Sequence, residues 1–168
     1  MKPKISILIP SRLEVVPNGI SSNSTGGVSF FIEKAILSIK NQSVFDAYSF
    51  QIIVGIDAGQ ALPESLVETG LLSFAESSSR SQAGALNAAS RKANGNFLAI
   101  LEDDDEWHPF YLQSAMSALN QVDFVSSTQL EISLAGEVMR INDFPTPSGW
   151  TMKRDVWEAV GEFNENYL

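Results

Sequence analysis

Glu102, Asp103, Asp104, Asp105 and Glu106 are five acids in a row, and their type and spacing point to chemistry. Neighbouring carboxylates repel one another, so such a run is unfavourable unless solvent or a cation offsets it. Hard oxygen donors suit Mg²⁺ or Mn²⁺, which take one or two carboxylates and fill their remaining positions with water and phosphate oxygens. The run directly follows Phe97-Leu98-Ala99-Ile100-Leu101, an apolar segment that reads as a buried strand. Ligands of open α/β sheets bind at the carboxyl ends of strands. That position favours a metal-held, phosphorylated ligand over the plainer alternative, a solvated acidic turn capping a helix opened by Pro109. Asp103, Asp104 and Asp105 are the candidate metal ligands.

Other phosphate and metal chemistries fit less well. A calcium-binding loop needs acids at alternate positions and a glycine at the sixth, and Asp103 begins no such pattern. A phosphate-accepting receiver domain needs an acidic pair after the first strand, where Pro10-Ser11-Arg12 stands. There is no glycine-rich loop ending in Lys-Ser or Lys-Thr, which excludes a P-loop NTPase.

Positioning these acids requires a sheet. Ile5 to Ile9 and Ile52 to Ile56 are β-branched apolar runs, expected as strands buried on both faces. The first is closed by Pro10, and the second ends at Asp57, which at a strand end could contact a bound ligand or simply cap the next turn. Phe31, Ile32, Ala35, Ile36 and Ile39 recur at helical spacing, with Ser29 as a possible cap. Residues 13–28, with Pro17, Asn18-Gly19 and Gly26-Gly27, read as a loop long enough to be functional or mobile. Residues 63–68 predict a short helix, 71–74 a short strand, and 83–93 a helix ended by Asn94 and a left-handed Gly95. A helix from Pro109 should bury Leu112, Ala115, Met116 and Leu119. A strand over 122–126, a hairpin of 129–132 with 137–141, and a helix over 152–160 ended by Gly161 complete the chain. Alternating strands and helices through residue 126 imply a largely parallel sheet in a three-layer α/β/α sandwich.

The bulk composition agrees and excludes several partners. The 168 residues suit one domain. A net charge of −9, from 20 acidic and 11 basic residues, argues against nucleic acid and against anionic lipid. Without cysteine, disulfides, zinc-thiolate sites and cysteine nucleophiles are excluded. No apolar segment is long enough to span a bilayer, and Ile5 to Ile9 is too short for a signal-peptide core. A cytoplasmic location is expected.

Taken in order, these segments resemble the glycosyltransferase family 2 enzymes, which have the Rossmann-like GT-A fold. Ile5 to Ser11 is similar to their first strand and Pro-Thr turn, and Ala35 to Ser43 to their first helix ending in Asn-Gln-Ser. Ile52 to Gly59 is similar to their second strand and Asp-Asp-Gly, with Ala58 at the second Asp. Ala85-Leu86-Asn87 and Gly95-Asn96-Phe97 resemble an Ala-Arg-Asn helix and the entry to the metal strand. Leu101 to Pro109 resembles the Asp-x-Asp signature running into Trp and Pro, and Gly161 to Glu165 a late Gly-Gly-Phe-Asp-Glu. Leu13 stands near a position where the family commonly has Asn.

The resemblance implies a single nucleotide-sugar-binding domain over 1–168, with a UDP-sugar favoured as donor. Asp57 would accept a hydrogen bond from the base, Asp103 would meet the ribose or the metal shell, and Asp104 or Asp105 would ligate Mn²⁺ or Mg²⁺. Pro10, Ser11 and Arg12, together with Arg80 as a phosphate neutraliser, complete the expected nucleotide site. Transfer to an unknown saccharide, lipid or protein acceptor would proceed with inversion, using a general base expected beyond Leu168. A non-catalytic nucleotide-sugar-binding module is the alternative from another class. A nucleotidyltransferase would need an early glycine-rich loop with a basic residue, which Gly26-Gly27 does not supply. Trp107 could stack on a ligand or pack on the sheet. Trp150 is expected in the core, and His108 is expected to cap a helix.

Overall fold

The computed structural model describes residues 2–16, 30–67, 72–133 and 135–166. Its central sheet has six strands. β1 (Lys4–Pro10), β2 (Ser49–Asp57), β3 (Leu72–Ser77) and β4 (Phe97–Ile100) are mutually parallel. β8 (Trp150–Lys153) runs antiparallel between β4 and β5 (Phe124–Ser126), giving the order β3-β2-β1-β4-β8-β5. β6 (Gln129–Ile132) and β7 (Val138–Asn142) form a separate two-stranded ribbon.

Alternation along the parallel strands sorts the core into two layers. Ile5, Ile7, Ile9, Ile52, Val54, Ile56, Ala99 and Leu101 face α1 (Phe31–Lys40) and α4 (Tyr111–Ala118). Leu8, Ile53, Ala75 and Ile100 face α3 (Gln82–Lys92), and Trp157 of α5 (Arg154–Val160) packs on that cluster. Helices therefore cover both faces, as the doubly apolar strands require. α2 (Glu64–Val67) is one turn anchored by buried Leu66. The expected three-layer α/β/α sandwich with a mostly parallel sheet is the architecture observed.

Two glycines make the layers close. A Cβ on Gly55 would stand 2.1 Å from the carbonyl oxygen of Ala85, so α3 can lie this near β2 only over a glycine. Gly95 was expected in the left-handed region after a helix, but its φ is not positive. Instead its amide donates to Ser6 Oγ at 2.9 Å, and an added Cβ would meet Ser6 N at 2.6 Å. The glycine is required for close backbone approach, not for a cap.

Other local expectations shift for identifiable reasons. α1 starts after Phe30, whose N–H donates to the Glu33 carboxylate at 3.2 Å, while Ser29 lies outside the described residues. α4 begins two residues after Pro109, and His108 caps it, its Nδ1 accepting from Phe110 N–H and its carbonyl from Tyr111 N–H. Residues 150–153 form β8 rather than a helix start, because Thr151 and Met152 are buried between strands on either side. The third strand runs to Ser77, longer than expected. Gly161, at φ 87°, ends α5 as expected.

Two of the motifs meet in space. Asn87 on α3 is buried, accepts from Phe163 N–H at 2.9 Å, and donates to the Phe163 carbonyl and to Glu165 Oε1, both at 2.9 Å. Arg91, one turn on, pairs with Glu162. The late Gly-Glu-Phe-Asn-Glu is thus clamped to α3. Gln42 of the Asn-Gln-Ser segment is similarly buried, donating to the His108 carbonyl at 2.9 Å and accepting from Leu112 N–H at 2.9 Å. It ties the end of α1 to the start of α4 and so fixes where the acidic loop leads.

Candidate functional site

The chain runs β1, β2, β3 in one direction across the sheet and returns to the other side of β1 as β4. The crevice between the carboxyl ends of β1 and β4 is therefore a topological switch point, where such sheets bind ligands. Here Ser11, just past β1, donates its hydroxyl to Asp103 Oδ2 at 2.5 Å, and Asp103 lies just past β4. The same Ser11 Oγ accepts from Leu13 N–H at 2.9 Å, and Ser11 N–H donates to the Gly55 carbonyl at 2.9 Å. Leu13 adopts φ 53°, a left-handed conformation uncommon for a branched side chain and more readily taken by Asn. A strained turn thus aims the serine at the acid.

Pro10, Ser11, Arg12, Asp57, Asp103 and Asp104 line one open cleft of about 560 Å³. Six of the eight residues singled out from the sequence are brought together there. Arg80 is not among them. It lines a shallower depression of about 280 Å³ with Ala58 to Gln60, joined to the cleft through Asp57. Asp105 lies instead on a second groove, and Asp104 lines both.

The acidic run is therefore divided between two grooves rather than gathered into one cage. Among the described residues, no three His, Cys, Asp or Glu side chains converge to hold an ion. Of the three aspartates, Asp103 and Asp104 share the cleft and Asp104 and Asp105 share the second groove.

Burial pushes Asp103, Asp105 and Glu102 above the ordinary carboxylate range. The negative charge of Asp104 adds to the rise in all three, while hydrogen bonding opposes it. Glu102 accepts from Gln82, at the start of α3, and its Oε2 accepts from Ser148 at 3.2 Å. Ser148 Oγ in turn accepts from Glu102 N–H at 2.9 Å. Gln82, Ser148 and the cleft-lining Glu14 carried no signal in the sequence; they are polar loop or cap residues without diagnostic spacing. Trp107 is buried, its indole N–H donating to the Ser148 carbonyl at 2.7 Å, and its ring packs against Tyr111 at 4.6 Å. It is a packing residue supporting the acidic loop. Trp150 is half-buried, stacked on Phe163.

The model of the family described as glycosyl transferase family 2 matches residues 30–159. The chain belongs to that family. No curated protein sequence matches it significantly, so solved structures supply the comparison. S. aureus TarS, residues 1–349, is similar with a TM-score of 0.64 at 15% identity, over 97% of this chain and 51% of that one. The mannosyltransferase PcManGT of Pyrobaculum calidifontis, in complex with GDP-Man and Mn²⁺, gives 0.62 at 18%, over 99% and 49%. TarS 1–349 in complex with UDP gives 0.62 at 14%, over 96% and 50%. At these identities the likeness establishes the GT-A glycosyltransferase fold. The family 2 chain described here spans about half the length of each of these structures. Among its described residues, no helix is long and apolar enough to cross a membrane.

Proposed function

We propose that this chain is a single nucleotide-sugar-binding domain that holds the donor of a divalent-metal-dependent glycosyltransferase. The observation that carries this reading is the convergence of Ser11, Asp57, Asp103 and Asp104 on one cleft at the switch point of the sheet. Asp57 accepts a hydrogen bond from the base, Arg12 and the Pro10-Ser11 turn contact the nucleoside, and Arg80 offsets phosphate charge from the adjoining depression. Asp103 meets the ribose.

The residues present fit a divalent cation. Two carboxylates on the cleft, Asp103 and Asp104, are a hard-oxygen set that Mg²⁺ or Mn²⁺ completes with water and diphosphate oxygens. Burial and mutual repulsion disfavour ionised Asp103, and a cation reverses that penalty. Bound there, the ion supplies Lewis-acid stabilisation of the leaving nucleoside diphosphate. The chain's own groups orient the donor: Ser11 fixes the Asp103 rotamer, and Gln82 and Ser148 hold Glu102 at the rim. Nucleotide sugars in the TarS and PcManGT complexes support a UDP- or GDP-linked donor, with UDP favoured by the family resemblance. Inverting transfer to a saccharide, lipid or protein acceptor is the reaction that the family resemblance supports.

Calorimetric titration with UDP, GDP and CDP, each with and without Mn²⁺, tests the reading. One nucleotide should bind in a manganese-dependent manner, and Asp104→Ala should weaken it by at least tenfold. Equal binding with and without metal, or no loss in the variant, would sink it.

A further inference from the structure

Two buried polar side chains interrupt the apolar face at the C-terminal end of α1. Ser38 is 6% exposed and Gln42, just past the helix, 3%, beside Ala35, Ile36 and Ile39 in the core. Burying such groups costs stability unless their polar atoms find partners. The partners lie in the segment that follows the run of acids. The Ser38 hydroxyl donates to the Ala35 carbonyl at 2.8 Å and accepts from Trp107 N–H at 3.1 Å. The Gln42 amide nitrogen donates to the Ser38 carbonyl at 3.1 Å and to the His108 carbonyl at 2.9 Å. Its oxygen accepts from Leu112 N–H at 2.9 Å. Both amide hydrogens and the oxygen are engaged, which fixes the orientation of the group. Ser43 N–H adds a bond to the Pro109 carbonyl at 2.8 Å.

The acids from Glu102 to Glu106 therefore span two fixed points. At the near end Leu101 N–H donates to the Leu8 carbonyl at 3.1 Å, and at the far end Ser38 holds the Trp107 amide. Glu102 and Asp103 have side-chain partners of their own in Ser148 and Ser11. Asp104 is exposed, so the backbone of this short span, rather than packing around its side chain, sets where its carboxylate stands. Repulsion among neighbouring carboxylates tends to open the span, and a held far end resists it.

We propose that Ser38 and Gln42 are positioning residues for the divalent cation, acting through the backbone of residues 107–112 to hold Asp104 at the donor cleft. The inference rests on the donor-site reading above and adds to it two residues that do not line the cleft. Carboxylates held in place beforehand bind an ion more tightly, because less order has to be imposed on binding. The nucleoside contacts come from the ends of β1 and β2 and do not pass through this brace. Loosening it should therefore weaken the metal and spare the nucleoside. The Trp107 indole is held separately by the Ser148 carbonyl, so losing the Ser38 hydroxyl frees the backbone without releasing the ring.

Calorimetric titration of UDP and, in parallel, GDP into the whole chain, each with and without Mn²⁺, separates the two effects. Ser38→Ala and Gln42→Met should each cut the gain in affinity conferred by Mn²⁺ by about tenfold, while metal-free affinity stays within about twofold of wild type. Ile39→Val, an apolar change buried in the same helix, should leave both affinities unaltered whatever its melting temperature. In Ser38→Ala, hydrogen exchange at the Trp107 amide should quicken relative to the Ile7 amide in β1.

Equal losses with and without Mn²⁺ would make Ser38 and Gln42 general structural residues and overturn the proposal. So would faster exchange at Trp107 with the manganese gain intact. A wild-type chain that binds neither nucleotide better with Mn²⁺ than without it would condemn the donor-site reading itself, whatever the exchange data show, and this proposal with it.

Discussion

β1 and the β6–β7 ribbon are built from similar residues and meet opposite fates. Ile5, Ile7 and Ile9 are wholly buried, whereas Ile141 is 67% exposed. The strands of the central sheet are covered by α1 and α4 on one face and by α3 and α5 on the other. The ribbon forms its own small sheet apart from that core. A strand's own apolar residues do not bury it; helices on its faces do. Stability should therefore concentrate in the seam between sheet and helices, and recognition on the bare ribbon.

Gly55→Ala is the sharpest test of the seam. The new Cβ would overlap the Ala85 backbone, which cannot yield without moving α3. Overpacking of this kind should destabilise by roughly 3 kcal/mol, lowering the melting temperature by about 10 °C in circular dichroism. A fall of only a degree or two would show that the seam tolerates strain and remove half of the contrast.

An intermediate effect, of opposite sign, is expected where the two regions join. Asp103, Asp105 and Glu102 keep their protons longer in the folded chain than in the unfolded one. Below their ordinary values of 3.8 and 4.5 both states are protonated and no penalty exists. As pH rises from there through the raised values, the unfolded state ionises first and stability is lost. Without divalent cation, Asp103→Asn should raise the melting temperature at pH 7 by about 1–3 °C, corresponding to about 0.5–1 kcal/mol. Below pH 3.8 the variant and wild type should converge. A variant less stable than wild type at pH 7 would mean that the hydrogen bond from Ser11 outweighs desolvation.

The smallest effect belongs to the ribbon. Ile141→Lys should change stability by less than about 0.5 kcal/mol in urea unfolding. A cost near that of Gly55→Ala would show the ribbon to be part of the folding core.

The parts legible in the sequence were those fixed by long apolar runs. β1, β2 and β4 announced themselves because burial on both faces leaves no polar interruption, and the ends of such strands located Ser11, Asp57 and Asp103. β8 was not legible: Trp150 to Lys153 is too short to show a period, and its pairing with β4 and β5 is entirely long-range. Gly95 was recognisable as a necessary glycine but not for its reason, since only the neighbouring Ser6 backbone distinguishes close approach from a cap. Arg80 looked like a cleft residue because it precedes α3, yet the turn directs it to the adjoining depression. Gln82 and Ser148 matter through Glu102, a relation that arises only when the loop after β4 meets α3 and the segment before β8.

The insertion of β8 also sets an order of assembly during synthesis. As the chain leaves the ribosome, the first hundred residues can lay down β3-β2-β1-β4 unaided, but β5 has no partner strand yet. It waits, with β4 presenting an open edge, until residues 150–153 arrive and bridge the two. Ser148, which steadies Glu102, is delivered by the same segment. The cleft is thus finished only once the segment around Ser148 has been made, and a nascent chain stalled before residue 148 would carry the acids without the group that holds their first member in place.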